Sequence, residues 1–170
     1  MTINSFYLVF GSTLFIILMW LIVALRYAMG MRKEIEKIWS EIDEYLRKRH
    51  DLLPGVVEIL RRYGIEEGLV NKAIDARDSA RKIYFPDEVK AKAEKLYADK
   101  LMEILSFSAG STDMDFLEYK KEIMELNEKI SNCLDEFNFK IDHFNIRRSA
   151  LWMRSVCFLA KYKAISKINF

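Results

Sequence analysis

The side chains with which proteins bind metals and catalyse reactions form no catalytic pattern in this chain. Neither His50 nor His143 belongs to an HExxH motif, and the residues three before them are Arg47 and Lys140, where a di-iron helical bundle requires Glu. No Gly-rich phosphate loop and no GxSxG elbow occur. We expect both histidines to lie on a solvated or partly packed helix face. The sequence predicts no enzyme, no catalytic residue, no metal ligand and no cofactor.

The cysteines also give no sign of chemistry. Cys133 and Cys157 lack CxxC spacing, and a reducing cytoplasm would keep both as thiols. Cys133 lies within an apolar helical stripe, which predicts a small buried hydrophobe rather than a reactive group.

The densest polar signal runs from residue 39 to residue 54 and reads WSEIDEYLRKRHDLLP. Asp43 and Arg47 stand four apart and can pair on a helix, where an exposed pair adds about 0.3–0.5 kcal/mol. One interpretation is a charged, solvated face opposite an apolar stripe. The other is a polar contact across the bundle, in which Asp43 or Asp51 meets Arg77 of the next helix.

A membrane span precedes this polar segment. Residues 6–25 are almost wholly apolar, and the first charged residue is Arg26. At about 1.5 Å per residue this run spans the roughly 30 Å hydrocarbon core of a bilayer. A cleaved signal peptide would have a positive n-region and a shorter apolar stretch, so we expect a retained transmembrane helix. Positive charge flanks only the C-terminal side, which predicts a single-pass protein of the cell membrane with its N-terminus outside and the bundle cytoplasmic.

The rest of the chain reads as four amphipathic helices, because apolar residues recur at spacings of three and four. The first helix continues from the span. The four stripes comprise Ile35, Trp39, Ile42, Leu46, Leu53, Val56, Leu60 and Tyr63; Ile65, Leu69, Ala73, Ala76, Ala80 and Ile83; Val89, Ala93, Leu96, Leu101 and Ile104; and Phe116, Ile123, Leu126, Ile130, Leu134, Phe137, Ile141 and Phe144.

Glycine and proline punctuate these helices. We expect breaks at Gly64, at Phe85-Pro86 and at residues 109–112, with Pro86 in the first turn of the third helix. Pro54 removes a backbone donor, so the first helix should kink or restart there, with Asp51 as the cap.

Short connections between four helices predict an all-α protein, in which an N-terminal transmembrane helix is followed by an antiparallel four-helix bundle. The expected domains are residues 1–27 for the short N-terminus and the span, residues 28–145 for the bundle, and residues 146–170 for a basic, aromatic tail.

The tail carries six basic residues and no acidic one. Mixed basic and bulky apolar residues suit an interfacial helix on an anionic leaflet, where each Lys or Arg contributes about 1 kcal/mol. The alternative is that the tail is the end of the fourth helix, packed into the bundle with a solvated basic edge. The candidate membrane-surface residues are Arg147, Arg148, Trp152, Arg154, Lys161 and Lys163.

The polar segment and three later elements resemble the LemA family of membrane-anchored bacterial proteins. The segment matches the family's Trp, Ile-Asp, Leu-Lys-Arg-Arg and Asp-Leu-Ile-Pro elements, Ala76-Arg77 matches its Glu-Ala-Arg element with Asp75 for Glu, and two Phe-Asn pairs stand where the family has Tyr-Asn. The residues at family-motif positions are Trp39, Ile42, Asp43, Leu46, Arg47, Arg49, Asp51, Leu52, Pro54, Arg77, Asn138 and Asn145.

This resemblance covers about residues 27–145, and the family's Tyr-Pro-Asp-Leu loop is replaced here by residues 108–114. The tail departs from the family pattern, so we expect it to be specific to this chain. The resemblance implies one N-terminal span, a four-helix bundle and no established biochemical activity.

Two functions fit these observations. The first is a membrane-tethered helical scaffold or protein-interaction protein without catalytic activity. The second is a membrane-remodelling or lipid-surface-sensing module. The expected partners are the lipid bilayer and an unidentified protein, with a second copy of the chain as an alternative. No nucleic acid partner is expected, because residues 26–146 are net acidic.

Overall fold

In the computed structural model, residues 3–107 and 113–170 are described. They form five α-helices: α1 (Ile3–Arg62), α2 (Glu67–Arg81), α3 (Glu88–Phe107), α4 (Met114–Ser149) and α5 (Leu151–Leu159). No strand occurs in these residues, so the all-α prediction is confirmed. The antiparallel order of a four-helix bundle stays a prediction. The break expected at residues 109–112 lies outside the described residues.

Helix α1 joins the apolar span to the first predicted helix without interruption. Pro54 lies inside it, so the predicted restart with Asp51 as a cap is wrong. The helix ends where Gly64 adopts a φ of 73° and the Ile65 N–H donates to the Leu60 carbonyl at 3.2 Å. Glycine is favoured at such a C-terminal position because it has no Cβ to clash in the left-handed region. The predicted break at Gly64 is confirmed.

Aspartate side chains cap the N-termini of α3 and α4. Asp87 accepts the Lys90 backbone N–H at 2.8 Å, and Asp113 accepts the Phe116 backbone N–H at 3.1 Å. Each side chain satisfies an amide that has no partner within its helix. Because α3 begins at Glu88, Pro86 precedes the helix and does not stand in its first turn.

The chain divides into two compact units. We call residues Met1–Glu36 with Phe139–Ile165 the anchor unit, and residues Lys37–Asn138 with Ser166–Phe170 the core unit. Helices α1 and α4 each contribute residues to both units.

The hydrophobic core of the core unit draws on four helices. From α1 it takes Leu53, Val56 and Leu60, and from α2 it takes small residues such as Ala73 and Ala76. The interior members from α3 and α4 are larger, namely Tyr97, Leu101, Ile104, Leu105, Phe116 and Ile123. The small residues of α2 let its neighbours approach closely, as interior packing to high density requires.

The buried face of α3 differs from the predicted stripe. Val89 and Leu96 are 60% and 51% exposed, although both were expected inside. The buried positions are instead 90, 91, 94, 97, 101, 104 and 105, whose recurrent spacing of three and four marks one helix face. The prediction failed in the first half of α3 because the buried face there carries Lys90 and Glu94.

The anchor unit contains the apolar part of α1. Residues 7–20 are all exposed, including Leu8 at 73% and Phe15 at 65%. Among the described residues, α1 is the one helix long and apolar enough, by length and composition, to cross a membrane.

Helix α5 is distinct from α4. Ala150 adopts an extended conformation with a ψ of 140°, so the tail does not simply prolong the fourth helix. Helix α5 turns Met153 and Cys157 onto Ala28 of α1, and Tyr162 packs against the same cluster. This contact lies just beyond the exposed apolar stretch of α1.

Candidate functional site

A group of basic and acidic side chains is buried in the core unit. Arg49, His50, Lys90 and Glu94 are each at most 3% exposed. Two are consecutive residues of α1, and the other two are four apart on α3, so they share one face of that helix. The expectation that His50 lies on a solvated or partly packed face is therefore wrong. His143 is half-buried, as expected.

Glu94 is the centre of this buried ionic cluster. Its Oε2 accepts a hydrogen bond from Arg49 Nη2 at 2.9 Å and lies 3.1 Å from His50 Nε2. Lys90 Nζ lies 2.9 Å from Glu94 Oε1 as an ion pair without hydrogen-bond geometry, and it donates to the Ala80 carbonyl at 3.0 Å. Three basic side chains thus converge on one carboxylate.

Tyr97 and Asn127 complete the cluster. The Tyr97 ring meets His50 edge-on with centroids 4.8 Å apart, and the Arg49 guanidinium carbon lies 5.3 Å from the ring centroid. The Tyr97 hydroxyl donates to the Arg49 carbonyl at 3.3 Å. Arg49 Nη1 donates to Asn127 Oδ1 at 2.9 Å. The cluster therefore joins α1, α3 and α4 through directional contacts.

The electrostatics of the cluster favour an ionised carboxylate. Burial alone would raise the pKa of Glu94, but the His50 contact and the positive charges of His50 and Lys90 outweigh burial and lower that pKa to about 2. Burial raises the pKa of the Tyr97 phenol, which stays protonated and able to donate. The Glu94 carboxyl is therefore ionised at neutral pH.

Arg77 repairs the helix at Pro54. Pro54 has no N–H, so the carbonyl of His50, four residues earlier, loses its usual helical donor. Arg77 Nε of α2 donates to that carbonyl at 2.9 Å. An unpaired buried carbonyl costs about 1–3 kcal/mol, so the pairing of Pro54 with Arg77 explains how α1 continues through a proline.

The predicted contact between α1 and α2 exists, but its partners differ from those expected. Arg77 meets a backbone carbonyl rather than Asp43 or Asp51. Asp43 pairs with Arg47 at 2.6 Å, as its spacing predicted, and Asp51 pairs with Arg81 of α2 at 3.0 Å.

A cavity of about 180 Å³ lies beside these ion pairs, between α1, the end of α2 and the start of α3. Its polar lining residues, Asp43, Arg47, His50, Arg81 and Lys90, all have a partner within the protein. The cavity is polar, and its charged groups are already satisfied.

The remaining motif positions of α1 are structural. The Trp39 ring lies 5.7 Å from that of Phe137 on α4. Ile42 and Leu46 are fully buried, and Leu52 is partly buried against the core.

The two motif asparagines hold the C-terminal segment. In the core unit, the Asn138 amide donates to the Ile168 carbonyl at 2.7 Å and its oxygen accepts the Ile168 N–H at 3.0 Å. In the anchor unit, Asn145 makes the same pair of bonds with Ile165, at 2.8 and 3.1 Å. Each asparagine thus takes the place of a backbone partner for one residue of the C-terminal segment.

The structure separates the tail residues into two groups. Arg147 donates to His143 Nε2 at 3.1 Å and its guanidinium carbon lies 5.3 Å from the Tyr27 ring centroid, while the Trp152 ring lies 6.1 Å from that of Tyr27. The other four candidate residues, Arg148, Arg154, Lys161 and Lys163, line one cavity. Contact of all six candidate residues with a membrane stays a prediction.

Sequence reasoning missed Lys90, Glu94, Tyr97 and Asn127. The first three could have been found by extending the α3 stripe backward from Leu101 at the same spacing, which passes through charged residues. Within residues 3–107 and 113–170, no three His, Cys, Asp or Glu side chains are grouped so as to hold a metal ion.

The chain is similar to a known protein and to a family profile. An uncharacterized protein of Archaeoglobus fulgidus is 25% identical over 118 residues, which are 67% of this chain and 26% of that protein. The chain therefore spans about a quarter of that relative's length.

The LemA family profile matches residues 38–167. This match includes every motif position named above and reaches beyond the 27–145 region of the expected resemblance. The expectation that the tail is specific to this chain is therefore wrong for most of its length. A match over this much of the sequence identifies the chain as a member of the LemA family.

Proposed function

We propose that the protein is a membrane-tethered, non-catalytic helical interaction protein of the cell membrane. The observation that carries the proposal is the continuity of α1, which is apolar and exposed over residues 7–20 and contributes Leu53, Val56 and Leu60 to the core of the core unit. An exposed apolar helix of this length is stable in a bilayer and costly in water. The apolar stretch and the α1 residues of the core unit therefore belong to one continuous helix.

Charge supports the topology that we propose. Arg26, Arg32, Lys33 and Lys37 follow the apolar stretch, and no Lys or Arg precedes it. The positive-inside rule favours an outside N-terminus and a cytoplasmic core unit.

The proposed partner is a protein, which includes a second copy of this chain. Tyr84 and Phe85, in the connection between α2 and α3, are 68% and 78% exposed. Adjacent exposed aromatic residues are typical of contact surfaces.

Tethering is tested by washing membranes from cells that express the full chain with alkaline carbonate. The wild type should stay in the pellet, and the variant Leu14→Lys/Leu18→Lys should move to the supernatant, because two charges in the span oppose insertion. Met102→Lys/Met124→Lys makes the same change at exposed apolar residues of the core unit and should stay in the pellet. Release of the wild type would contradict the proposal.

The interaction role is tested by placing a photo-crosslinking amino acid at position 85 in cells. A specific protein adduct, or one of twice the chain's mass, should form there. The control is the same probe at Lys92, which is exposed on α3. No adduct at position 85 beyond that at position 92 would contradict this contact surface.

A lipid-surface role is the second candidate, and the packing of α5 favours it. Helix α5 contacts Tyr27 and Ala28 of α1 directly after the apolar stretch. On its other face Leu151 and Phe158 are 88% and 83% exposed. Exposed apolar residues among basic ones suit the interface of an anionic leaflet.

A further inference from the structure

A cavity in the anchor unit combines positive charge with an apolar wall. Its volume is about 400 Å³. Its apolar and aromatic lining comes from Cys157, Phe158 and Tyr162. Its remaining lining residues are all basic, namely Arg148, Arg154, Lys161 and Lys163.

These four cations have no carboxylate partner among the described residues. None of the ion pairs found in residues 3–107 and 113–170 includes them, and residues 146–170 contain no Asp or Glu. Like charges gathered around one space repel each other, and an anion entering that space would relieve the repulsion.

Arg148 carries a stronger signal than the exposed cations. Its Nε is buried and has no hydrogen-bond partner among the described residues. Burial raises the pKa of the neighbouring Cys157 thiol, and the positive charge of Arg148 acts against that rise. A buried guanidinium N–H without an acceptor is costly, and an anion beside the same guanidinium would offset part of that cost.

The backbone holds Lys161 in the cavity wall by an unusual conformation. Lys161 has a φ of 54° at the end of α5, where its N–H donates to the Phe158 carbonyl at 3.1 Å and the Tyr162 N–H donates to the Cys157 carbonyl at 2.9 Å. This is the glycine-favouring helix end, here occupied by a lysine. Glycine would adopt this conformation without strain, but it would not supply a cationic side chain to the cavity wall.

One aromatic residue of the cavity wall, Tyr162, contacts α1 and the cluster that packs on it. The Arg32 guanidinium carbon lies 4.7 Å from the centroid of the Tyr162 ring, and Tyr162 packs on the cluster of Ala28, Met153 and Cys157. The cavity is therefore built on the part of α1 that follows the apolar stretch.

We propose that this cavity binds a phosphate anion, and that the phosphate is the headgroup phosphodiester of an anionic phospholipid. Arg148 and Lys163 donate to the phosphate oxygens, because guanidinium and ammonium groups form charge-assisted hydrogen bonds with phosphate. The exposed Phe158 contacts the apolar part of the same molecule. This inference deepens the lipid-surface role and rests on the proposed anchoring only for the source of the phosphate.

The test is calorimetric titration of the full chain in neutral detergent micelles. One arm uses a short-chain phosphatidylglycerol, a second uses the matching phosphatidylcholine, and a third uses inorganic phosphate. We expect saturable binding of phosphatidylglycerol at one site per chain. Phosphatidylcholine should bind far more weakly, because the basic lining of the cavity repels its quaternary ammonium group. If inorganic phosphate binds as tightly as phosphatidylglycerol, free phosphate is the ligand. If it binds far more weakly, the ligand is the lipid headgroup.

Two double variants that remove the same charge distinguish binding in the cavity from nonspecific electrostatic attraction. Arg148→Gln/Lys163→Gln should weaken phosphatidylglycerol binding by about tenfold or more, because two charge-assisted bonds are lost. Lys33→Gln/Lys37→Gln removes the same charge from exposed positions outside the cavity and should change binding by less than about twofold.

Equal weakening in the two double variants, or no saturable binding in any arm, would overturn the proposal. If the first double variant loses helical structure by circular dichroism, the exposed single change Lys163→Gln against Lys33→Gln decides in its place. The micelle arms need neither a native membrane nor a protein partner, so failure of the site and failure of the tethering role are distinguishable.

Discussion

The core unit and the anchor unit each gather basic side chains beside a cavity, and they differ in where the balancing negative charge comes from. In the core unit, Arg49, His50 and Lys90 converge on Glu94 within 3.1 Å. The anchor unit places four cations around its cavity, and no described carboxylate pairs with them. Buried charges with an internal partner are part of the folded structure, whereas cations without one remain available to an external anion. The difference separates a structural site from a binding site.

The two helix ends at Gly64 and Lys161 show the same contrast. Both residues occupy the left-handed region, with φ of 73° and 54°, and both close the helix with the same pair of backbone hydrogen bonds. The core unit uses the residue that fits without strain. The anchor unit uses a lysine, which costs about 1–2 kcal/mol in this conformation.

The largest expected effect is the loss of the carboxylate. Glu94→Ala should destabilise the protein by about 3–5 kcal/mol, because Arg49 and Lys90 remain buried without their carboxylate partner. Chemical denaturation of the full chain in micelles, followed by circular dichroism, measures the change. Glu88→Ala, at an exposed ion pair on the same helix, should cost less than about 1 kcal/mol. Similar decreases in the free energy of unfolding for the two variants would contradict the prediction that the buried ion pairs stabilise the fold more than an exposed one.

The second prediction concerns acid. Because the pKa of Glu94 is lowered to about 2 in the folded protein, ionised Glu94 stabilises the fold above the unfolded value near 4.5. That contribution is lost as pH falls through the window from about 4.5 to 2, and it is on the order of 3 kcal/mol. As pH falls through this window, the free energy of unfolding should decrease more steeply for the wild type than for Glu94→Gln. Parallel curves would contradict the assignment.

The third prediction links Arg77 to Pro54. Arg77→Ala should cost about 1–3 kcal/mol, because the His50 carbonyl loses its donor. In a Pro54→Ala background the new backbone N–H can supply that donor, so the same change should cost less than about 1 kcal/mol. A double-mutant cycle of unfolding free energies measures the coupling. Additive costs would show that Arg77 acts independently of the proline.

The smallest effect is expected at the helix ends. Lys161→Gly should stabilise the protein by about 0.5–1 kcal/mol, because it removes the strained conformation. Gly64→Ala should destabilise it by about 1 kcal/mol; its added Cβ would meet no atom within 4 Å, so the cost is purely conformational. Thermal unfolding of the two variants compares them. Destabilisation by Lys161→Gly would indicate that the lysine side chain stabilises the fold.

Apolar periodicity was a reliable guide along most of the length over which the buried face is itself apolar, although Tyr63 at the end of the predicted α1 stripe is 55% exposed. The stripe of α4, from Ile123 to Phe144, is buried as predicted, and the apolar stretch of α1 is exposed as a membrane span requires. The same rule failed at Val89 and Leu96, because periodicity counts apolar residues and the interior of α3 there holds Lys90 and Glu94. Family-motif residues such as Arg49 and Arg77 were identified, but not their partners.

The sequence by itself determined the elements that depend on local composition. A run of uncharged apolar residues suffices to define a helix long and apolar enough to cross a membrane, and apolar spacing and Gly64 define the helical stripes and the end of α1. Only the tertiary structure decided which charges are neutralised. Glu94 lies 45 residues from Arg49 along the chain, and Arg77 lies 27 residues from the carbonyl that it repairs. Charge balance depends on distances of a few ångströms between residues far apart in sequence, because a charge is stabilised by the groups that surround it in space.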